Sequence, residues 1–167
     1  NRGNLRSDLG GDPYGAISDY TAAIEVIEDP RYYNNRGTIK QVDFNDLNAA
    51  YLDYRNAHEL DKTNSLYLIN MIEVKFELGD IIEAEEYCNL LLETKISETL
   101  DYYYPYYYLA LINIDNNTDK SCKYLNIANQ LILENKDDLE GYYINYKDTE
   151  VESTTHIFDL VRSYGCE

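Results

Sequence analysis

A chain of 167 residues with ordinary apolar content has enough material for one domain with a continuous core. No apolar run approaches the roughly 20 residues with which a helix crosses a bilayer. The formal charge of −17 repels nucleic-acid phosphates and anionic lipid, which leaves a neutral or basic protein or peptide as the expected partner. The same charge also serves a plainer purpose, keeping an extended helical array in solution.

The chain opens at Asn1 without a methionine, inside a helical pattern and with no charged-then-apolar leader, so residues upstream are expected. Asn1 to Leu9 reads as the end of a first helix. Gly10-Gly11-Asp12-Pro13 turns the chain, with proline well placed to open the next helix. That helix is predicted over Tyr14–Ile27. Its apolar face is built from Ala16, Ile17, Tyr20, Ala23, Ile24 and Ile27 at three- and four-residue steps. Asp29-Pro30 is read as its stop.

Tyr32–Val42 and Asp46–Leu60 form the next helix pair, with Leu47, Ala50, Tyr51, Tyr54 and Ala57 as the inward stripe of the second member. Asn64–Leu78 follows, then the turn Gly79-Asp80, then a helix from Ile81 to about residue 96 with Ala84, Tyr87, Cys88 and Leu91 inward. A longer link leads into the tyrosine-rich run Tyr102–Tyr108. Pro105 there suits the first turn of a helix reaching Ile114. Asp115–Asp119 is a turn that offers a helix cap, and Ser121–Glu134 is the partner helix with Leu125, Ala128 and Ile132 in one row. Two weaker helical segments, Asp138–Tyr146 and Val151–Ser163, come last and end at Gly165.

The segments are copies. Asn35-Arg36-Gly37 repeats Asn1-Arg2-Gly3, Ala50 repeats Ala16, Tyr54 repeats Tyr20 and Ala57 repeats Ala23, all at one constant step along the chain. Ala84, Cys88 and Leu91 follow Ala50, Tyr54 and Ala57 by the same step again, while Leu125 arrives three positions late after Cys88. The step is about 34 residues, and a fixed period of that length is the mark of stacked helical hairpins. The expected architecture is all-α: a single domain over 1–167, a right-handed superhelix (solenoid) of about four helix-turn-helix hairpins. The hairpins span about 1–30, 31–63, 64–96 and 102–135, and a capping helix or degenerate hairpin covers 137–164.

The cysteines Cys88, Cys122 and Cys166 are odd in number, far apart and without a Cys-x-x-Cys pair. Neither a disulfide framework nor a zinc site is expected from them, which points to a reducing, cytoplasmic setting. Much of the tyrosine excess goes with a bias toward residues of AT-rich codons.

The repeated residues resemble the tetratricopeptide repeat, a helix-turn-helix of about 34 residues. In that family a glycine or small slot in the first helix precedes a Leu-Gly-Asp turn. Alanine, aromatic and alanine follow at fixed steps in the second helix, and a proline comes near the end. The matching residues are Gly3, Leu9-Gly10, Ala16, Tyr20, Ala23 and Pro30, then Gly37, Ala50, Tyr54 and Ala57, then Leu78-Gly79-Asp80, Ala84 and Leu91. The resemblance is strong over Asn1–Glu93, moderate to Glu134 and lost beyond. Repeats one and two carry an extra residue between the first-helix glycine and the second-helix alanine. Asp43-Phe44-Asn45 replaces the turn glycine of repeat two, and the family's first-helix tryptophan is absent.

The resemblance implies that an extended peptide or partner helix is bound in the concave groove lined by the first helices, without catalysis or cofactor. Asn1 and Asn35 share one inner slot, two residues before the glycine, and Asn70 holds the nearest slot of repeat three. An asparagine offers a donor and an acceptor, so such a ladder can hold a peptide backbone without reading its side chains. Asn4, Asn34, Thr38, Glu73 and Glu77 share that face by helical spacing. The clamp with which some family members grip the carboxylate tail of heat-shock chaperones is not expected. Leu66 and Asn70 stand in its cation slots, and Glu73 and Glu77 would repel a carboxylate.

Other chemistry is sparse. The tyrosine run suits core packing better than ligand stacking. Asp115, Asn117, Asp119 and Ser121 imitate a calcium loop, but Lys120 stands where its glycine belongs and Asn126 where its bidentate glutamate belongs. Asn116-Asn117-Thr118 is a glycosylation sequon. His58 and His156 lack a paired nucleophile, and no phosphate-cradling glycine loop occurs, so neither an enzyme nor a metal site is expected. The leading expectation is a peptide-binding interaction module. The alternatives are a structural segment of a larger array that self-assembles through the exposed N-terminal edge, and a chaperone or neutraliser of a basic partner.

Overall fold

The computed structural model describes residues 11–94, 103–134 and 159–166, which form helices and turns with no strand among them. The helices are α1 (Pro13–Val26), α2 (Pro30–Val42), α3 (Leu47–Leu60), α4 (Ser65–Glu77), α5 (Ile81–Glu93), α6 (Tyr103–Asn113) and α7 (Thr118–Glu134). A short helical turn over 159–163 follows. The chain divides into two compact units, Asn1–Tyr87 and Cys88–Glu167. The all-helical expectation holds, and consecutive helices pack on one another: α1 on α2, α2 on α3, α3 on α4, and α6 on α7. Asn1 to Leu9 and Asp138–Tyr146, each expected to be helical, lie outside the described residues.

Side-chain caps start the helices. Oδ1 of Asp12 accepts from the Gly15 N–H at 2.9 Å, Oδ1 of Asp46 from Ala49 at 3.1 Å, and Oδ1 of Asn64 from Leu66 at 3.0 Å. Asp29-Pro30, read above as a stop, is also a start. Asp29 accepts from the Arg31 N–H at 2.9 Å and Pro30 fills the first helical position, so α2 begins two residues earlier than expected.

The two described inter-helix turns of repeats two and three explain the extra residue. After α4, Gly79 adopts φ 78°. Its N–H reaches the Phe76 carbonyl, and the Asp80 N–H reaches that of Lys75 at 2.9 Å. This is the glycine-closed helix end that the sequence announces. After α2, Asn45 holds the place of Gly79 one period earlier and takes φ 51°, a conformation that asparagine tolerates better than most residues. Its N–H reaches back to Gln41 and that of Asp46 to Lys40, so the same turn closes one residue wider on each bond.

The periodic residues are the core of the first unit. Ala16, Tyr20, Ala50, Tyr54, Ala57 and Ala84 are all at most 1% exposed, and α4 adds Tyr67, Leu68, Met71, Ile72 and Val74. Ile39 of α2 closes over Ala16 and Tyr20. Ala23 and Tyr51, expected inward, are only half-buried. The repeated glycine has a clear cause. A Cβ at Gly37 would lie 2.9 Å from Cε1 and 3.0 Å from Cδ1 of Tyr54, so α2 meets α3 at a point where only hydrogen fits.

In the second unit Tyr103, Tyr107, Ala110, Leu125, Ala128 and Ile132 form one buried cluster between α6 and α7. The buried Ser121 hydroxyl donates to the Ala110 carbonyl at 2.9 Å, and Asn117 caps α7 through the Lys120 N–H at 3.0 Å. Leu160, Val161 and Cys166 pack against this cluster. The cysteine reading requires correction here. Cys122 lies on the inner side of α7, but it is joined to Cys166, 44 residues on, by a disulfide with Cα atoms 5.0 Å apart. The fold of the chain between two such cysteines decides whether they meet, and their spacing alone carries no sign of it.

Gly37→Ala tests the close contact. The added methyl gains about 1 kcal/mol in helix propensity, but the Tyr54 ring is buried and its hydroxyl is bonded, so it cannot swing aside. We expect a net loss of roughly 1–3 kcal/mol in urea denaturation.

Candidate functional site

A row of polar side chains joins α2 and α4. Nδ2 of Asn70 donates to Oδ1 of Asn34 at 2.8 Å, and Nε2 of Gln41 donates to Oε1 of Glu77 at 3.2 Å; both pairs are 36 residues apart. Between them the Thr38 hydroxyl donates to the Asn34 carbonyl at 3.1 Å. The Tyr54 hydroxyl, arriving from α3, lies 2.8 Å from Oε1 of Gln41 and 3.3 Å from Oγ1 of Thr38. A phenol has one proton to give, so the shorter bond to Gln41 takes it. Burial pushes the Tyr54 phenol well above its ordinary range, which keeps it a donor.

Glu73 is half-buried on the same stretch of α4, and its carboxyl is pushed up to about 7, first by burial and then by the charge of Glu77. Among the described residues no lysine or arginine forms an ion pair with Glu73 or with Glu77. The row therefore combines amide donors and acceptors with an acidic end that has no cation of its own.

The structure brings together Asn34, Thr38, Asn70 and Glu77 by direct bonds or through Gln41 and Tyr54, and sets Glu73 beside them. Asn35 touches this row at its Oδ1, which accepts from Nδ2 of Asn34 at 3.5 Å. Its Nδ2 donates to the Tyr20 hydroxyl at 3.3 Å, toward the preceding hairpin. Asn34, one residue earlier, is the partner of Asn70. Asn1 and Asn4 lie outside the described residues.

Two ionic centres flank the row, and the sequence reading missed both. Asp53 is 2% exposed and holds two cations. Arg36 forks onto both its oxygens, at 2.9 Å and 2.7 Å, and Nζ of Lys40 stands 2.7 Å from Oδ2. The Asp53 bonds raise the Arg36 pKa despite partial burial. Arg36 also donates to the Thr21 hydroxyl at 3.0 Å, which ties α1 to the same centre. The available signal was Arg36 and Lys40 four residues apart on one face of α2. The second centre is Lys75, buried to 8% exposure, with Nζ 2.9 Å from Asp80, 2.6 Å from Glu83 and 4.3 Å above the Tyr51 ring. Burial alone would lower its pKa, but the bonds from Glu83 and Asp80 outweigh that and raise it. The Tyr51 hydroxyl in turn meets that of Tyr87 at 2.7 Å, joining α3 to α5.

His58 sits half-buried in the last turn of α3, held below its ordinary pKa by burial. Among the described residues no group of three His, Cys, Asp or Glu side chains is arranged to hold a metal ion, and no helix is long and apolar enough to cross a membrane. No family model matches the chain, and no curated protein matches it.

Asp53→Ala leaves Arg36 and Lys40 without their common partner and is expected to cost roughly 3–5 kcal/mol in denaturant unfolding. Exchanging all three groups for apolar residues of similar volume should cost less than the single change. Glu73 gives a pH signature. The folded protein holds its proton up to about 7, while the unfolded chain releases it near the ordinary 4.5. Stability should therefore fall as pH rises between those values and then level off. In thermal melts Glu73→Gln should remove that slope, raising the melting temperature at about pH 8 while leaving it nearly unchanged at about pH 4.

Proposed function

We propose that the chain is a tetratricopeptide-like interaction module, a right-handed superhelix of helical hairpins that binds an extended peptide along the polar row of α2 and α4 and performs no catalysis. The observation that carries this reading is the pairing of Asn34 with Asn70 across two successive first helices, continued by Thr38, Gln41, Glu73 and Glu77. Amide side chains whose hydrogen-bonding capacity exceeds the bonds they make to each other can also meet a peptide backbone. The acidic end adds a preference. Glu73 and Glu77, four residues apart on one helix face, repel each other, and a lysine or arginine of the bound peptide would relieve both. The net charge of −17 steers a basic segment toward the protein.

The test is a peptide array followed by fluorescence anisotropy on a retained lysine-containing peptide. Asn34→Ala with Asn70→Ala removes two hydrogen-bonding groups and should weaken binding by roughly 5- to 100-fold, with circular dichroism confirming the fold. Asn35→Ala, which removes the longer 3.5 Å contact to Asn34, should weaken binding less than the double change. Glu73→Gln with Glu77→Gln should abolish the preference for lysine over a neutral residue. Binding that ignores both asparagines yet vanishes with added salt would replace the peptide groove by a neutraliser of a basic partner.

A further inference from the structure

The last described segment, 159–166, is held to the α6–α7 hairpin in an unusual way. Its hydrogen bonds among the described residues are all internal. The Tyr164 N–H donates to the Leu160 carbonyl at 3.0 Å, the Cys166 N–H to Val161 at 3.0 Å, the Gly165 N–H to Arg162 at 3.3 Å, and the Ser163 hydroxyl to Leu160 at 3.1 Å. These bonds shape the segment without attaching it. Among the described residues, its attachment to the hairpin apart from Cys166 consists of Leu160 and Val161, both only half-buried. Two partly covered side chains do not offset the conformational entropy lost on ordering the segment. Among the described residues the covalent bond is the remaining attachment.

The geometry of the segment serves that bond. Gly165 takes φ 62°, and the bonds from Gly165 to Arg162 and from Cys166 to Val161 repeat the helix-ending pattern seen at Gly79 and Asp80. The turn directs Cys166 back into the tyrosine-rich cluster, where it is 4% exposed and bonded to Cys122. Cys122 is the half-buried member of the pair.

We propose that Cys122–Cys166 is a redox clasp: oxidised, it fixes segment 159–166 over the α6–α7 hairpin, and reduction by a dithiol releases that segment while the hairpin stays folded. In the opening step one thiolate of the reductant attacks a sulfur of the pair and forms a mixed disulfide. Its second thiolate then displaces the protein sulfur and closes a cyclic disulfide. Two electrons and two protons pass to Cys122 and Cys166, and the reductant leaves oxidised. The hairpin does not depend on the bond, because its cluster of Tyr103, Tyr107, Ala110, Leu125, Ala128 and Ile132 and the Ser121–Ala110 hydrogen bond are its own.

The test is hydrogen exchange of the full chain read by mass spectrometry, before and after treatment with dithiothreitol, with thiol alkylation to count free cysteines. Before treatment, peptides spanning Cys122 and Cys166 should be recovered linked. After it, exchange over 160–166 should accelerate by roughly thirtyfold or more, the fold-change matching the usual stabilisation by a disulfide, while 103–113 and 118–134 keep their protection. Cys166→Ser should reproduce the reduced pattern without any reductant. Three alkylatable cysteines in protein purified under air would overturn the bond. Unchanged exchange over 160–166 after reduction would overturn the clasp, since Leu160 and Val161 would then suffice. Loss of protection across α6 and α7 as well would also overturn it, by making the bond a support of the whole hairpin.

Discussion

The first unit depends on how closely α2 approaches α3. Gly37 faces the ring of Tyr54 with no room for a methyl group between them, and this sets the separation of the two helices. Two consequences follow from that one contact. It brings Arg36 and Lys40, which flank the glycine on α2, within bonding range of Asp53, the neighbour of Tyr54 on α3. It also pushes the Tyr54 hydroxyl through to the far side, where it meets Thr38 and Gln41. A single aromatic side chain is thus core at its ring and part of the polar row at its tip, which is how tyrosine differs from phenylalanine at such a position.

The charges are distributed in the same spirit. The chain has 14 lysines and arginines against 31 acidic residues. Arg36, Lys40 and Lys75 are drawn inward onto Asp53, Asp80 and Glu83, so three of the few cations have little presence at the surface. Glu73 and Glu77 receive none of them. A buried carboxylate with two cations and a half-buried carboxylate with no cation among the described residues therefore stand on neighbouring helices. The first rigidifies the α2–α3 contact, whereas the second leaves an unfavourable charge that only a proton or an outside cation can remove.

The repeated apolar residues made the helix pairing legible. Ala16, Tyr20, Ala50, Tyr54 and Ala84 recur at one spacing because each fills the same contact, and all are buried. Helix starts were legible where Asp or Asn could cap and Pro could follow. The site was legible only to within one residue. Counting from the glycine put Asn35 in the ladder, and its Oδ1 does accept from Asn34, but the direct bond to Asn70 is made by Asn34. Residues that meet across successive helix pairs stand 36 apart, Asn34 with Asn70 and likewise Tyr51 with Tyr87, so contact partners are not the residues that the repeat makes equivalent. The turn after α2 was legible as Asp43-Phe44-Asn45 in place of a glycine, and Asn45 does at φ 51° what Gly79 does at φ 78°. Asp53 was hidden for a different reason. Its partners Arg36 and Lys40 come from the preceding helix, and an ion pair across helices depends on their separation, which no local pattern encodes.

The tyrosine run of the second unit shows how a compositional oddity can be absorbed by helix geometry. Tyr103 and Tyr107 stand one turn apart, so both point into the cluster with Leu125 and Ile132 and are buried. Tyr104, Tyr106 and Tyr108 fall on the flanks and are half-buried, with Tyr106 at 6.2 Å from Tyr124 between ring centres and Tyr104 stacked on Tyr103 at 4.3 Å. A phenylalanine would fill the inner positions as well, but on the flanks its ring would meet water without a polar end. Tyrosine tolerates both environments, so a codon bias toward it costs the hairpin little. The run then needs no ligand to account for it, and recognition is better sought in the first unit, on the row that Asn34 and Asn70 begin.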